Sequence, residues 1–421
     1  MDPFFFPMPL QFHHRAATAT FIVELYYWFG VHGHSANLSD PMLFPNLPVP
    51  PDHLDLDAVG DCQSIARALA HAATNKYKVA WLMEEYQTDV GRNVLLDTER
   101  EDQLMQKYPP LIEIEEFQQR KDFQLPIVAE PALFTDAEGG TLAWSLPEVI
   151  PEGRREHMLK ATRLLEGQLT MKALRAEDAP SKLWRVSGPY FNRGVEWAAG
   201  TTLLSPAGFA QGHTGPKFDP APSVDARTAR ASDWMREFQT SGALLDGILA
   251  VTHPALYQEA LAVAEEVYRK HGACRATLSI WPSAFNSVQV ISNRSTPVHR
   301  DVGGRAGWLE LLLTLGRYGE TGILELRTLG VSVPYSSGSV AMLCSRQVLH
   351  GVPTVPGDRV CYAWYMNKHL FKKVKADLPG KAIVASEEDH EVDGTDRDAD
   401  EVDGTDRDAE GSITDEGEAA P

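Results

Sequence analysis

One short segment of the sequence carries two side chains that can bind the same metal ion. His299 and Asp301 lie two residues apart in the segment SNRSTPVHRD at 292–301. Side chains two apart on a β-strand leave the same face, so this imidazole and this carboxylate can converge on one ion. His350, which follows another predicted strand, supplies a third candidate ligand. Two imidazoles and one carboxylate on one face of a metal suit non-haem Fe(II) chemistry with O2.

A candidate anion-binding side chain follows the third candidate ligand. Arg359 begins the last β segment, in the stretch DRVCY at 358–362. A buried guanidinium can hold one end of a dicarboxylate through paired hydrogen bonds, which a lysine does less well. The order H-x-D, His, Arg on successive strands is typical of 2-oxoglutarate-dependent dioxygenases. It predicts Fe(II), 2-oxoglutarate as co-substrate, and O2.

The H-x-D pattern alone is weakly specific. The chain holds a second copy, His53-Leu54-Asp55, but this copy lies beside a Pro-rich connector and has no strand pattern. The string His299-Arg300-Asp301 is also similar to a protein-kinase catalytic loop. That loop needs an asparagine five residues after the aspartate, where this chain has Ala306, so we exclude a kinase.

The elements that would position these residues change character at Gly272. Before it, helical periodicity is clearest at 61–73, 155–175, 225–239 and 254–271. After it come short segments rich in β-branched and aromatic residues, which predict strands near 274–281, 287–292, 296–301, 308–315, 323–327, 331–335, 339–344, 346–350 and 358–367. We therefore expect an α+β chain in which a helical N-terminal part is built around a double-stranded β-helix, or jelly roll.

Charge and composition divide the chain further. The formal charge is −19, but residues 386–421 hold 16 acidic residues against two arginines, and this segment contains EVDGTDRDA twice. Such a segment buries too little apolar surface to offset its ordering entropy, so we expect a disordered acidic tail at 386–421. We expect a mixed helical and irregular region at 1–250, which helps to bind DNA and covers the core. The dioxygenase core is expected at 251–380.

At these residues the chain resembles a known family. The segment from about 275 to 370 resembles the TET/JBP group of nucleic-acid base dioxygenases, particularly its fungal branch. The resemblance is carried by NRSTPVHRD at 293–301, WLELLLTLG at 308–316, YSSGSV at 335–340, QVLHGV at 347–352 and GDRVCYAWYM at 357–366. It covers roughly a quarter of the chain and is more specific for the fold than for the substrate.

The resemblance implies a fold, a reaction and residue roles. It implies a double-stranded β-helix that binds Fe(II) and 2-oxoglutarate and oxidises the methyl group of 5-methylcytosine in DNA, stepwise through hydroxymethyl, formyl and carboxyl forms. By position, it makes iron ligands of His299, Asp301 and His350. Arg359 would hold the distal carboxylate of 2-oxoglutarate, and Arg294 would also contact the co-substrate. Asn367 stands where the family places a polar base-recognition side chain, often histidine.

The last strand allows a check on these roles from geometry alone. Residues 359, 361, 363, 365 and 367 share one face, so Tyr365 and Asn367 point into the barrel if Arg359 does. Tyr365 could then stack on a flipped base and Asn367 could bind its Watson–Crick edge. Ordinary barrel packing is the alternative for Tyr365. Tyr362 and Trp364 fall on the opposite face and are expected in the core.

The expected partner is methylated double-stranded DNA with the target base flipped out. Two stretches have local positive charge that could meet phosphates: 154–193, with nine basic and four acidic residues, and 368–381, with five lysines and one aspartate. A solvated helix face is the alternative for the first stretch. The segment Lys372–Lys375 resembles a short nuclear-import signal, which predicts a nuclear protein.

Other substrates and another class of protein stay open. The asparagine at 367 leaves N6-methyladenine in DNA or a methylated RNA base as alternative substrates. A small-molecule 2-oxoglutarate oxygenase and a non-catalytic DNA-binding module are the further alternatives. Four widely spaced cysteines favour a reducing, intracellular location, and no apolar run is long enough for a membrane span. Nothing in the sequence indicates protein partners or an oligomeric state.

Overall fold

The computed structural model describes residues 7–38, 46–91, 98–111, 125–171, 184–192, 194, 196–209, 219–301 and 304–376. All of these residues fall in one compact unit, Met1–Ile383. The acidic tail predicted at 386–421 lies outside the described residues.

Twelve strands are found in the described residues. They are β1 (Lys76–Lys78), β2 (Ala132–Thr135), β3 (Thr141–Leu146), β4 (Gly200–Leu204), β5 (Ser287–Ser292), β6 (Thr296–His299), β7 (Glu310–Arg317), β8 (Ile323–Leu326), β9 (Val331–Pro334), β10 (Val340–Leu343), β11 (His350–Val352) and β12 (Asp358–Tyr365).

The strands form two sheets. The larger sheet has the order β1-β2-β3-β10-β7-β12-β5-β4 and the smaller one has the order β6-β11-β8-β9. Every pair is antiparallel except β1 with β2. Many of these pairs, such as β3 with β10, β5 with β12 and β6 with β11, join strands that are distant in sequence, as in a jelly roll. The prediction of a jelly-roll core with a helical N-terminal part is confirmed.

Ten α-helices accompany the sheets in the described residues. They are α1 (Leu10–His32), α2 (Leu56–Thr74), α3 (Met83–Val90), α4 (Thr98–Lys107), α5 (Glu152–Thr162), α6 (Ala229–Glu237), α7 (Gln239–Thr252), α8 (Pro254–Lys270), α9 (Gly272–Leu278) and α10 (Lys368–Ala376). No helix among the described residues is long and apolar enough to cross a membrane.

The helical part packs on one face of the larger sheet. Tyr362 and Trp364 of β12 are fully buried, as predicted, and their rings lie against Trp234 of α6 at centroid distances of 6.1 Å each. The Tyr362 hydroxyl shares a hydrogen bond of 2.6 Å with Thr162 and accepts one of 3.3 Å from the Trp234 indole. The face of β12 that carries Tyr362 is therefore core, and the functional residues must use the other face.

The first half of the chain contributes more to the sheet than its sequence suggests. Strands β1 to β4 all come from residues before 250 and extend the larger sheet at both ends. Helix α1, which has no polar stripe that a periodicity count would detect, is tied to α7 by a buried pair between Arg15 Nε and Asp246 Oδ2 at 3.4 Å. The same guanidinium donates to the carbonyl of Trp281 at 2.7 Å.

Two predicted strands are wrong. Residues 274–281 begin within helix α9 rather than a strand, and the buried side chains of that helix, Cys274 and Thr277, are spaced three apart, which is a helical period. Residues 346–350 lie in a turn, and the strand begins only at His350. In both cases the prediction relied on β-branched and apolar composition, whereas the helical spacing of buried residues or the geometry of a turn determines the structure that forms.

Candidate metal centre

The three candidate ligands meet at the smaller sheet. His350 of β11 lies directly opposite His299 of β6 in the strand register, and their ring centroids are 4.3 Å apart. His299 Nε2 lies 3.3 Å from Asp301 Oδ1, and His350 Nε2 lies 3.4 Å from Asp301 Oδ2. All three ligand atoms lie within 4.8 Å of one another. Among the described residues, no other group of three or more histidine, cysteine or acidic side chains converges in this way.

Both imidazoles are oriented by backbone carbonyls. Nδ1 of His299 lies 2.9 Å from the carbonyl of Pro297, and Nδ1 of His350 lies 3.0 Å from the carbonyl of Val348. A carbonyl only accepts, so each Nδ1 carries a proton, and in the neutral ring Nε2 then keeps its lone pair. Hydrogen bonds of this kind fix the ring orientation of metal-binding histidines. The two Nε2 atoms, which face the Asp301 carboxylate, are therefore the candidate donor atoms.

Burial and the neighbouring charges favour a neutral imidazole at His299 and an ionised carboxylate at Asp301. Burial, with the neighbouring His350, lowers the pKa of His299 to about 4. Burial on its own would raise the pKa of Asp301, but the hydrogen bonds and charges of His299, His350 and Arg185 hold that pKa well below its usual range. These are the protonation states that a divalent ion requires of its ligands.

The residue between His299 and Asp301, just beyond the end of β6, faces the other way. Arg300 is buried and donates to both carboxylate oxygens of Glu101 in α4, with Nη2 at 2.8 Å from Oε2. It also donates to the Tyr86 hydroxyl of α3 and, through Nε, to the carbonyl of Gln347 at 3.0 Å. The N-terminal helices thus clamp the strand end that presents His299 and Asp301.

A segment of the first half covers the triad. The Trp184 ring lies 4.6 Å from the His299 ring, nearly edge to face. Arg185 donates through Nη2 to Asp301 Oδ1 at 2.8 Å. Two residues that flank this cover, Phe191 and Asn192, pair with the backbone at Arg294 and Asn293. Sequence analysis missed Trp184 and Arg185, because their contact with the triad spans more than 100 residues of chain.

Arg359 is held in place by the turn that follows β5. Asn293 has a positive φ of 57° and accepts from the backbone N–H of Arg359 at 2.9 Å through its side-chain oxygen. Its amide nitrogen donates to Asp358 Oδ1 at 2.8 Å. On the other neighbouring strand Gly316 lies opposite Arg359, and a Cβ there would lie 2.1 Å from the Asp358 carbonyl oxygen. The glycine of the WLELLLTLG motif therefore permits the close approach of β7 to β12.

The Arg359 guanidinium is 3 % exposed and only partly used. Nη2 donates to the carbonyl of Arg294 at 2.7 Å, whereas Nη1 finds no hydrogen-bond partner among the described residues. The group lies 5.8 Å from the Tyr335 ring, on the face of β12 opposite the core residues. A buried N–H group without a partner is costly unless a ligand satisfies it.

The Arg294 guanidinium is in a similar state. It is 5 % exposed, lies 4.8 Å from the Trp184 ring and donates through Nη1 to the carbonyl of Arg185 at 2.9 Å. Its Nε has no partner within the described part of the chain. Burial and the nearby Arg185 lower its pKa to about 9. Among the described residues, neither Arg294 nor Arg359 makes an ion pair. Two buried cations beside the triad thus lack an anionic partner.

The two predicted base contacts lie at the end of β12. Tyr365 is its last residue and is half-buried. Asn367 follows it, and its side-chain oxygen accepts from the backbone N–H groups of His369 and Leu370 at 2.9 and 3.1 Å. This is the pattern of a helix N-cap, here of α10. A contact between Asn367 and a base would have to use Nδ2, and both substrate roles stay predictions.

The second H-x-D copy has a purely structural explanation. Asp55 caps α2 by accepting from the backbone N–H of Ala58 at 2.8 Å. His53 stacks on His14 of α1 with ring centroids 4.2 Å apart.

Several arginines of the first basic stretch are already paired with other groups of the chain. Arg154 pairs with Asp61 at 2.7 Å, Arg155 donates to the carbonyl of Ser337, and Arg163 pairs with Glu196 at 3.3 Å. Lys160 is exposed. Lys172, Arg175, Lys182 and Arg193 lie outside the described residues. The four cysteines are buried and free, so none forms a disulfide.

Comparison with known proteins agrees with this geometry. Residues 205–368 match the Tet_JBP family model, described as the oxygenase domain of the 2OGFeDO superfamily. The resemblance to the TET/JBP oxygenases is confirmed over this segment. A solved structure of NgTET1 in complex with 5mC DNA is similar at 15% identity and a TM-score of 0.41, covering 59% of this chain and 81% of that one. No curated protein matches the chain.

The Tet/JBP domain belongs to a superfamily that uses Fe(II), 2-oxoglutarate and O2. The residues present fit this set. The triad offers two neutral imidazole nitrogens and a carboxylate, the donor set that suits Fe(II) with open positions. The unpaired N–H groups of Arg294 and Arg359 are the donors that the carboxylates of 2-oxoglutarate would need. Fe(II) and 2-oxoglutarate together thus account both for the clustered triad and for the unpaired N–H groups of the two arginines.

Proposed function

We propose that this chain is a dioxygenase that oxidises 5-methylcytosine in DNA with Fe(II), 2-oxoglutarate and O2. The product would be 5-hydroxymethylcytosine, followed by the formyl and carboxyl forms. The match of residues 205–368 to the Tet/JBP oxygenase domain supports the reaction class. The choice of 5-methylcytosine as substrate rests on that family likeness and is the part that experiment must test.

The observation that carries the proposal is the pair of buried arginines beside the triad. A structural core gains nothing from two guanidinium groups that have unpaired N–H donors and no carboxylate partner, because unpaired buried polar groups destabilise the fold. A dicarboxylate co-substrate removes that cost. His299, Asp301 and His350 would hold the ion, while Arg359 would hold the distal carboxylate and Arg294 would contact the same molecule.

The residues of the chain would then act mainly by orienting the ligands and positioning the substrate near the ion. Bound iron supplies the activation of O2 that is coupled to the decarboxylation of 2-oxoglutarate. The Pro297 and Val348 carbonyls would hold the two imidazoles with Nε2 turned toward the ion. Trp184 covers one side of His299 and keeps water from that side. The substrate methyl group must come close to the ion, and a base within a duplex reaches it only when flipped out of the stack.

The substrate contacts and cellular location belong to the same proposal. Tyr365 would stack on the flipped base, and Asn367 would donate to it through Nδ2 while its oxygen caps α10. Lys372, exposed on α10, would meet phosphate. We also propose a nuclear location. The segment Lys372–Lys375 includes the buried Val374, so an import receptor would have to recognise it on a folded helix.

Nucleoside mass spectrometry tests the proposal. The protein is incubated with Fe(II), 2-oxoglutarate and duplex DNA that carries both 5-methylcytosine and N6-methyladenine, and succinate is measured in parallel. His299→Ala should abolish oxidised cytosine. His53→Ala is the matched control, because His53 belongs to the other H-x-D copy, where it stacks on His14 and shares a hydrogen bond of 3.0 Å with Thr18. It should retain the activity.

The other outcomes are equally informative. Loss of methyl groups from adenine alone would replace 5-methylcytosine with N6-methyladenine as the substrate. Succinate without a change in either base would keep the cofactor site and reject both DNA bases, and RNA and small molecules would be tried next. No succinate, with no binding of a divalent ion, would overturn the dioxygenase assignment and leave a non-catalytic module.

A further inference from the structure

We propose that Arg185 is a positioning residue of the metal centre, which holds Oδ1 of Asp301 so that Oδ2 alone faces the ion. The inference rests on the proposed function of the His299, Asp301 and His350 triad. It adds a residue that lies outside the matched segment 205–368 and is distant in sequence from all three ligands.

The contact between Arg185 and Asp301 is short and sheltered. Nη2 of Arg185 lies 2.8 Å from Oδ1, and the two side chains are 25% and 26% exposed. Oδ1 also lies 3.3 Å from His299 Nε2, whereas Oδ2 lies 3.4 Å from His350 Nε2. The two oxygens therefore have different surroundings, and within the part of the chain that the structure describes a permanent cation contacts Oδ1 and not Oδ2.

A carboxylate can bind a metal through one oxygen or through both. An oxygen that already accepts from a guanidinium has less electron density for an ion, and the cation itself disfavours a second positive charge close by. Arg185 would thus select one-oxygen binding through Oδ2. This leaves more of the ion's coordination positions for co-substrate and O2.

Arg185 also joins the metal carboxylate to the co-substrate pocket. Its guanidinium lies 4.6 Å from the ring of Trp184, and the Arg294 guanidinium lies 4.8 Å from the same ring. The carbonyl of Arg185 accepts from Nη1 of Arg294 at 2.9 Å. One residue therefore contacts a candidate ligand with its side chain and a candidate co-substrate arginine with its backbone.

A purely structural role is the alternative, in which Arg185 only pins the covering segment to the core. Arg163 provides a matched comparison for that role. Its guanidinium lies 4.7 Å from the Trp197 ring and 3.3 Å from a carboxylate oxygen of Glu196, so it makes the same two kinds of contact away from the triad. A variant at Arg163 removes these contacts without touching a ligand.

Co(II) titration of the metal-free protein separates the two roles. Affinity is measured by calorimetry, and the visible absorption bands of bound Co(II) report the ligand geometry. Arg185→Met should weaken Co(II) binding about 10- to 100-fold, the usual cost of removing a partner of a ligand, and should shift the bands. Arg185→Lys, which keeps the charge, should restore part of the affinity. Arg163→Met should bind Co(II) like the unmodified protein.

Urea unfolding in EDTA checks that each variant is folded. If Arg185→Met does not fold, Arg185→Lys carries the test, and an affinity and spectrum equal to those of the unmodified protein would overturn the proposal. Equal or tighter binding by a folded Arg185→Met with unchanged bands would also overturn it and leave the pinning role. If the unmodified protein itself does not bind Co(II), the metal centre of the proposed function fails, and this inference fails with it.

Discussion

The buried pair between Arg300 and Glu101 offers the sharpest test of how the N-terminal helices support the metal centre. Their side chains are 1% and 10% exposed, so water screens the pair little. Removing one partner of a buried pair typically costs about 3–5 kcal/mol, because the other charge stays buried and uncompensated. Arg300 keeps the Tyr86 hydroxyl and the Gln347 carbonyl as acceptors, which places Glu101→Gln near the lower end.

We therefore expect Glu101→Gln to lower the free energy of unfolding by about 3 kcal/mol, a change of roughly a hundredfold in the folding equilibrium. Urea unfolding of the metal-free protein, followed by tryptophan fluorescence, measures this. The double variant Arg300→Met with Glu101→Leu should recover much of the loss, since an apolar replacement of a buried pair is often neutral.

The same variant should reach the metal centre. Arg300 lies between His299 and Asp301, so a loosened Arg300 lets the strand end move, and Co(II) affinity should fall as well. The reasoning is refuted if Glu101→Gln unfolds within about 0.5 kcal/mol of the unmodified protein, the range typical of a neutral surface change. The reasoning is also refuted if Glu101→Gln lowers the free energy of unfolding and the double variant lowers it further.

Three further outcomes are expected. Arg359→Lys should weaken 2-oxoglutarate binding to the Mn(II)-loaded protein by about 10- to 100-fold, as measured by calorimetry. The reason is the loss of one or two charged hydrogen bonds worth about 1.5–3 kcal/mol. An unchanged affinity would show that Arg359 does not bind 2-oxoglutarate. Tyr362→Phe should lower the free energy of unfolding, measured in urea, by about 1–3 kcal/mol, because Thr162 and Trp234 each lose a buried hydrogen-bond partner. A decrease of less than about 0.5 kcal/mol would contradict this explanation. Burial, the stacked His71 and a nearby arginine lower the pKa of His34 in the folded protein. As pH falls, His34 therefore binds a proton at a higher pH in the unfolded chain than in the folded protein. The free energy of unfolding should decrease as pH falls below about 6.5. His71→Gln should weaken this pH dependence in urea unfolding at pH 7.5 and 5.5, and an identical dependence would exclude the stacked pair as its source.

Much of the site was predictable from sequence because its spacing is local. The separation of His299 and Asp301 by one residue fixes which face of a strand they share, whatever the rest of the fold does. Residue type identifies Arg359 as a carboxylate-binding group, and alternation along β12 places Tyr362 on the face opposite Arg359. The structure agrees with each of these placements. The roles of the candidate ligands and of the two arginines await the experiments above.

The failures follow from the same principle. The strand predicted at 274–281 is wrong because β-branched composition outweighed the helical spacing of Cys274 and Thr277. The long helix α1 was missed because its exposed face also carries apolar residues, among them Leu10, Tyr27 and Val31, so it lacks an amphipathic stripe. Strands β1 to β4 could not be placed, since their pairing with strands from the second half depends on contacts far apart in the chain.

The sequence alone thus predicted the candidate ligands, the reaction class that they suit and the jelly-roll core, because these predictions depend on residue type and on short spacings. Only the tertiary structure decided what surrounds the ligands. It opposed His350 to His299 across two strands, turned Arg300 toward Glu101, and brought Arg185 onto Asp301. Such contacts join residues that are 50 to 200 positions apart, and only the packing of a complete core specifies which of many chemically equivalent arginines comes to lie beside a given carboxylate.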